Sequence, residues 1–161
     1  MKIQKGAIIS KCKKYQYALW RIWDPSKPLA LFLTLNPSPT EENEDSATVL
    51  KCVELGNKHG FGGIVIGYIF GYRTEDPNEF INVTDPIGPE NNDCLERFAA
   101  QAHTVIAAWG IRGTYKDRHD AIMRKIPKLH CFGITENGQP VHPLHVGDDA
   151  ELKRIRVEKG E

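Results

Sequence analysis

The sequence is poor in features that announce a particular chemistry, and each lack excludes something. Cysteine is scarce. Cys12, Cys52, Cys94 and Cys131 lie far apart in 161 residues, with no CxxC or CxxH pair. That spacing gives no support to a zinc or iron–sulfur site. Cys131 falls in an apolar run and reads as a small core residue. Excess charge is also missing, since 21 Lys and Arg balance 21 Asp and Glu. Bulk charge therefore advertises no polyanionic partner, although a neutral protein can carry a local basic face. No apolar stretch approaches the ~20 residues of a membrane span. The basic stretch Met1 to Lys14 lacks the apolar core of a signal peptide. Free thiols suit a reducing compartment, so a cytoplasmic protein is expected. No GxxxxGK[ST], GxGxxG or GxSxG pattern occurs, which argues against nucleoside-triphosphate, dinucleotide and serine-hydrolase chemistry. Neither a metal nor an organic cofactor is implied. Internal repeats and low-complexity tracts are absent.

What is present is the makeup of an ordinary globular protein, 40% hydrophobic and 26% charged. The length fits one domain over residues 1–161. Four apolar runs predict strands covered on both faces: Leu29 to Leu35, Ile64 to Phe70, Thr104 to Gly110 and Lys128 to Ile134. Helical patterns lie between them. The first follows an Asp45 or Ser46 cap and carries Val49, Leu50, Val53 and Leu55. The second is capped by Asn92 or Asp93 and runs to about His103, and the third covers Lys116 to Ile126. Upstream, the alternation of Tyr15, Tyr17 and Leu19 predicts a strand in an N-terminal hairpin, with Asp24 to Pro28 as its turn. Gly71 to Asn92 is long and irregular, as functional loops often are. The charged stretch from Asp148 to Glu161 reads as a frayed end or surface helix. Strands alternating with helices predict an α/β fold. Its expected form is a three-layer αβα sandwich on a mostly parallel four-stranded sheet, with an N-terminal β-hairpin.

Two motifs stand where strands run out into loops: Leu35-Asn36-Pro37-Ser38, and His142-Pro143-Leu144 after the fourth strand. Ligands of open α/β sheets bind at the carboxyl ends of strands. Asn36 can hold a water by hydrogen bonding but is no strong base. His142 can donate to a developing oxyanion, and His145 lies close enough to substitute for it. These two are the candidate catalytic residues. Ser38, Arg73 and Trp109 are candidate substrate-binding residues, Arg73 for an anion and Trp109 as a stacking plate. Each has a plainer reading: both X-Pro pairs as turns, Arg73 as an ion pair with Asp76, and Trp109 as a core aromatic under the pocket floor. Arg112, Lys116, Arg118, Arg124, Lys125 and Lys128 form a basic stretch that suits either a phosphate backbone or a solvated helix face.

The order of motifs carries a resemblance over most of the chain. It runs LNPS, Phe70-Gly71-Tyr72-Arg73, Asp76-Pro77, Gly88-Pro89-Glu90-Asn91, Ala108-Trp109-Gly110, Cys131-Phe132-Gly133, and Gly138-Gln139-Pro140-Val141 before His142-Pro143-Leu144. This order is similar to a domain family of unknown function in bacteria and their phages. More distantly, Asn36-Pro37, Trp109-Gly110 and His142-Pro143 resemble motifs of the uracil-DNA glycosylase superfamily. That resemblance implies a glycosylase-like sheet, a water on Asn36 and a leaving base stabilised by His142. Its implied partner is a nucleobase, in a nucleoside or in nucleic acid. Three positions depart from the superfamily pattern: Thr34 replaces Gly, Leu144 replaces Ser, and Tyr68 stands close to where the superfamily has a base-reading Asn and leaves that role empty. The acids Glu41, Glu42, Glu44 and Asp45 would repel a phosphate backbone if they faced the site. The expected function is thus nucleobase recognition with N-glycosidic hydrolysis. The alternative is a non-catalytic binding module that keeps the fold.

Overall fold

Leu29–Thr34 (β3) is the strand on which the architecture turns. Its six residues are apolar but for Thr34, and all but Leu29 are buried. Neighbours on both sides explain that composition. It pairs in parallel with Gly63–Tyr68 (β4) and with Thr104–Ala107 (β5). Leu129–Cys131 (β6) adds in parallel beyond β5. The computed structural model, which describes residues 2–39 and 44–155, thus contains the four expected strands as a parallel centre.

The sheet as a whole differs from the expected four-stranded, mostly parallel one. It has seven strands and is mixed. Gln4–Ile9 (β1) and Gln16–Ile22 (β2) form an antiparallel hairpin, and β2 pairs antiparallel with β4. The two-residue Lys153–Arg154 (β7) closes the other edge, antiparallel to β6. The order is β1-β2-β4-β3-β5-β6-β7. Asp24 to Pro28 is therefore not the hairpin turn. It carries the chain from β2 past the start of β4 to β3. Backbone pairing holds it there, because Trp23 and Asp24 both donate to the Gly62 carbonyl and Gly62 donates to Pro28. A Cβ on Gly62 would lie 1.9 Å from the Asp24 carbonyl oxygen, so only glycine fits under this crossing.

Alternate residues of β3 feed two cores, as a pleated strand requires. Ala30 and Phe32 pack with Val49, Cys52 and Leu55 of helix Ala47–Lys58 (α1). Leu31 and Leu33 pack with Leu95 of helix Asn91–Gln101 (α2) and Ile122 of helix Arg118–Lys125 (α3). Helices thus cover both faces. Ser46 caps α1, its hydroxyl accepting from the Val49 N–H at 3.2 Å. Leu50 faces outward despite its helical spacing. Asn92 and Asp93 lie inside α2, whose first turn has no side-chain cap. The third helix starts later than expected, after a tight 3-10 turn over Ile111–Asp117. Asp148 to Ile155 forms no helix, and the rest of that charged stretch lies outside the described residues. No helix among the described residues is long and apolar enough to cross a membrane.

Candidate functional site

At the carboxyl ends of β3 and β5 lies a cleft of about 510 Å³. That is within the usual ~300–1,000 Å³ range of ligand pockets. Asn36, Trp109 and His142 all line it. Ser38 and Arg73 do not.

Asn36 arrives as the chain leaves β3. Phe70 N–H donates to the Leu35 carbonyl and Thr74 N–H to the Pro37 carbonyl, stitching this loop to the segment after β4. The Asn36 amide adds to the seam. Its Nδ2 donates to the Thr74 carbonyl at 3.0 Å and to the Pro37 carbonyl at 3.2 Å. Only an NH₂ group can serve two carbonyls, so the orientation of the amide is fixed. Oδ1 accepts from no described residue. The turn reading and the site reading thus coexist in one side chain.

Trp109 follows β5 by two residues and forms floor rather than wall. It is 1% exposed, and its indole N–H donates to the buried Gln139 Oε1 at 2.9 Å. Gly113 lies against the ring so closely that a Cβ there would come within 2.0 Å of it. A ligand stacking broadly on this indole would have to displace that turn, so the plainer reading of Trp109 fits its surroundings.

His142 is delivered by a tight hairpin after β6. Ile134 bridges Pro140, and Val141 N–H donates to Gly133. His142 then caps the 3-10 turn Pro143–His145, with Nδ1 accepting the Leu144 N–H at 3.2 Å. An accepting Nδ1 carries no proton, so the neutral ring holds its proton on Nε2. Burial, with the neighbouring charge of His145, lowers the His142 pKa below its ordinary value. The two rings meet edge to face at 6.0 Å. Asn36, with an acceptor oxygen in its amide, and His142, with its proton on Nε2, thus line the same cleft. Leu35, Ile111, Val141 and Leu144 supply apolar wall.

Arg73 and the other residues near the cleft make contacts of their own. The Arg73 guanidinium binds the carbonyls of Lys13 and Pro39, both at 3.1 Å, joining the β1–β2 turn to the loop after β3. Asp76, its supposed partner, caps the 3-10 helix Pro77–Asn82 by accepting from Asn78 N–H. Of the acidic cluster, Asp45 pairs with Arg21 at 2.6 Å, Glu44 is exposed, and Glu41 and Glu42 lie outside the described residues. Tyr68 is buried, with its hydroxyl accepting from Gln16 Nε2 at 3.0 Å, and is not a cleft residue.

The basic stretch is divided. Arg118 is buried, its Nε donating to the Ile69 carbonyl and its Nη2 to Asn92 Oδ1, each at 2.7 Å. Arg124 pairs with Asp120, and Lys125 with Glu96 at 3.8 Å. Arg112 instead reaches the cleft, held by Asn78 Oδ1 at 2.9 Å. In the sequence its only mark is membership of a charge run. Pro77 and Thr48 also line the cleft and carried no such signal. Pro77 is placed by its neighbour Phe80, which stacks on Phe70 with centroids 4.5 Å apart across the irregular loop after β4. No cluster of three or more His, Cys, Asp or Glu suited to a metal occurs among the described residues.

The fold and cleft define an α/β protein with an open pocket at the carboxyl edge of its central parallel strands. The chain belongs to the family described as protein of unknown function (DUF1643), whose model matches residues 16–144. The match opens on the first residue of β2 and closes on Leu144, so it contains both motifs of the cleft. No curated protein and no solved structure gave a match to the chain.

Proposed function

We propose that the cleft recognises a nucleobase, in a nucleoside or in nucleic acid, and hydrolyses its N-glycosidic bond. The observation that carries this reading is the pairing of Asn36 and His142 in one cleft, with an acceptor Oδ1 on the first and a neutral Nε2–H on the second. Cleavage breaks the C1′–N bond, whose electron pair moves onto the base. His142 Nε2–H then bonds the carbonyl oxygen on which negative charge develops. Asn36 Oδ1 accepts from a water, whose oxygen bonds C1′. One proton of that water goes to solvent, and the base takes up one from solvent. The products are a free base and a sugar hydroxyl. The likeness of Asn36-Pro37 and His142-Pro143 to glycosylase motifs supports the same assignment.

The test is base release, detected chromatographically, from uracil, thymine-mismatch and modified-base substrates. His142→Ala should slow release by ~10²–10³-fold, the usual cost of one charge-stabilising donor, and Asn36→Ala should slow it as well by freeing the water. Ligand affinity should change little, because these groups act on the transition state. Wild-type release in the double variant overturns the mechanism. A second reading, a binding module without catalysis, is favoured by Leu144. This apolar side chain, half exposed on the cleft wall, stands where the glycosylase motif has Ser. Ligand binding without release from any substrate would establish that reading.

A further inference from the structure

The cleft does not end at Arg112. A second depression of about 350 Å³ adjoins it, and the two share Pro77, Ile111 and Arg112 as a common ridge. Beyond the ridge the depression is lined by Thr114, Tyr115 and Asn137, among others. Its volume alone suits a ligand group of about nucleoside size.

Among the described residues, neither lining set contains an Asp or Glu. Arg112 is exposed on the ridge, with one nitrogen held by Asn78 Oδ1. A guanidinium has five N–H donors in a planar fork, so several remain for an anion. Lys116 adds a second cation, its ammonium 5.8 Å from the centre of the Tyr115 ring. In a chain of zero net charge Arg112 is thus a cation between two concavities, with Lys116 beside the Tyr115 ring of the outer one. Tyr115 is half-buried, backed by Phe70 and Phe80 at 5.9 and 5.5 Å, and lines the depression. Lys116 and Asp117, just past it, both hold left-handed backbone, with φ of 53° and 54°. Consecutive non-glycine residues in that region are costly, and such strain gathers where a surface is held in shape for function.

We propose that the ligand has two parts: a base in the cleft and a second nucleoside in the Tyr115 depression, joined by a phosphodiester that sits on Arg112. This rests on the nucleobase reading of the cleft and narrows its ligand from a lone nucleoside to a dinucleotide or single strand. Stacking on Tyr115 and a phosphate on Arg112 give the second part its affinity.

Calorimetric titration of the intact chain tests it, using nucleosides of five bases, the matching dinucleoside monophosphates, and short single strands. The dinucleoside monophosphate should bind at least about tenfold tighter than its nucleoside, the scale expected for one stacked base. Arg112→Gln should remove most of that advantage and its salt dependence. Thr114→Trp should remove it by filling the depression, without altering the cleft. Both positions are exposed, and thermal melting verifies that the variants fold. Nucleosides that bind with no gain for the dinucleotide, or a gain that survives both variants, overturn the second subsite alone. If no nucleoside or dinucleotide binds, the nucleobase reading falls and the second subsite with it. Between the two supporting outcomes, single strands binding tighter than the dinucleotide identify a polymer, and equal binding identifies the dinucleotide.

Discussion

The turn Ile111–Asp117 and helix α3 are joined end to end and share one basic run, yet they use their arginines in opposite ways. Arg112 in the turn is exposed on the rim of the cleft, tied down by a single amide oxygen. Arg118, six residues later, is 3% exposed and spans from the end of β4 to α2 through Ile69 and Asn92. Its burial pulls the guanidinium down to about 10, so it is still charged at neutral pH. The remaining cations of α3 lean on nearby acids, Arg124 on Asp120 and Lys125 on Glu96. Depth, more than charge, decides whether a basic residue can meet a ligand. In this chain the turn presents its arginine at the cleft rim, and the helix buries its first one.

The sharpest break in that comparison would come from Arg118→Met. The apolar chain retains much of the packing but leaves the Ile69 carbonyl and Asn92 Oδ1 without their donor. Unsatisfied buried groups cost ~1–3 kcal/mol each, so a loss of about 3 kcal/mol in urea unfolding is expected. The salt dependence of ligand binding should not move. Arg112→Gln should do the reverse, holding stability within about 0.5 kcal/mol as surface changes usually do. A stable Arg118→Met variant with altered ligand binding would invert the assignment.

These roles show what the sequence could and could not reveal. The strands β3 to β6 were legible because a strand buried on both faces must be apolar throughout, and Ser46 was legible as a cap by its place before Ala47. Asn36 and His142 were legible because both follow such strands. The strand order was not. Asp24 to Pro28 has the composition of a turn, and nothing local distinguishes a hairpin from a crossing under β4. Burial of Arg118 was equally hidden, since its partners are a carbonyl 49 residues away and an amide 26 away. Pro77 joins the cleft through the Phe80 contact with Phe70, which no periodicity records. Local chemistry could be read, whereas contacts distant in sequence could not.

A smaller effect tests whether strain belongs to the turn rather than to the helix it precedes. Lys116 holds φ of 53°. A left-handed conformation costs an ordinary L-residue roughly 1–2 kcal/mol, whereas glycine adopts it freely. Lys116→Gly and Lys116→Ala both remove the ammonium over Tyr115, and only glycine relieves the backbone. The glycine variant should be more stable than the alanine variant by about 1 kcal/mol in thermal melting, after glycine's own entropic cost. Equal stabilities would mean that the turn stores no strain, and the preorganised shape of the Tyr115 depression would need another cause.

The smallest expected effect is a slope rather than a step, and it belongs to the opposite wall of the cleft. Burial, then the charge of His145, lowers the His142 pKa from 6.5. As pH falls, the unfolded chain therefore takes up a proton on this ring before the folded chain does. More protons bound in the unfolded state means that stability rises with pH. The contribution of His142 is thus complete above about pH 6.5 and is lost as pH falls through the lowered value. Protonation also places a hydrogen on Nδ1, which can then no longer accept from Leu144 N–H. His142→Asn keeps a residue suited to capping the turn and removes the titration. Urea unfolding from about pH 8 to about pH 5 should show wild type losing stability relative to this variant on acidification. Parallel curves would mean that His142 carries the same proton affinity folded and unfolded. The neutral Nε2–H donor assigned to the cleft would then have no special protection from acid.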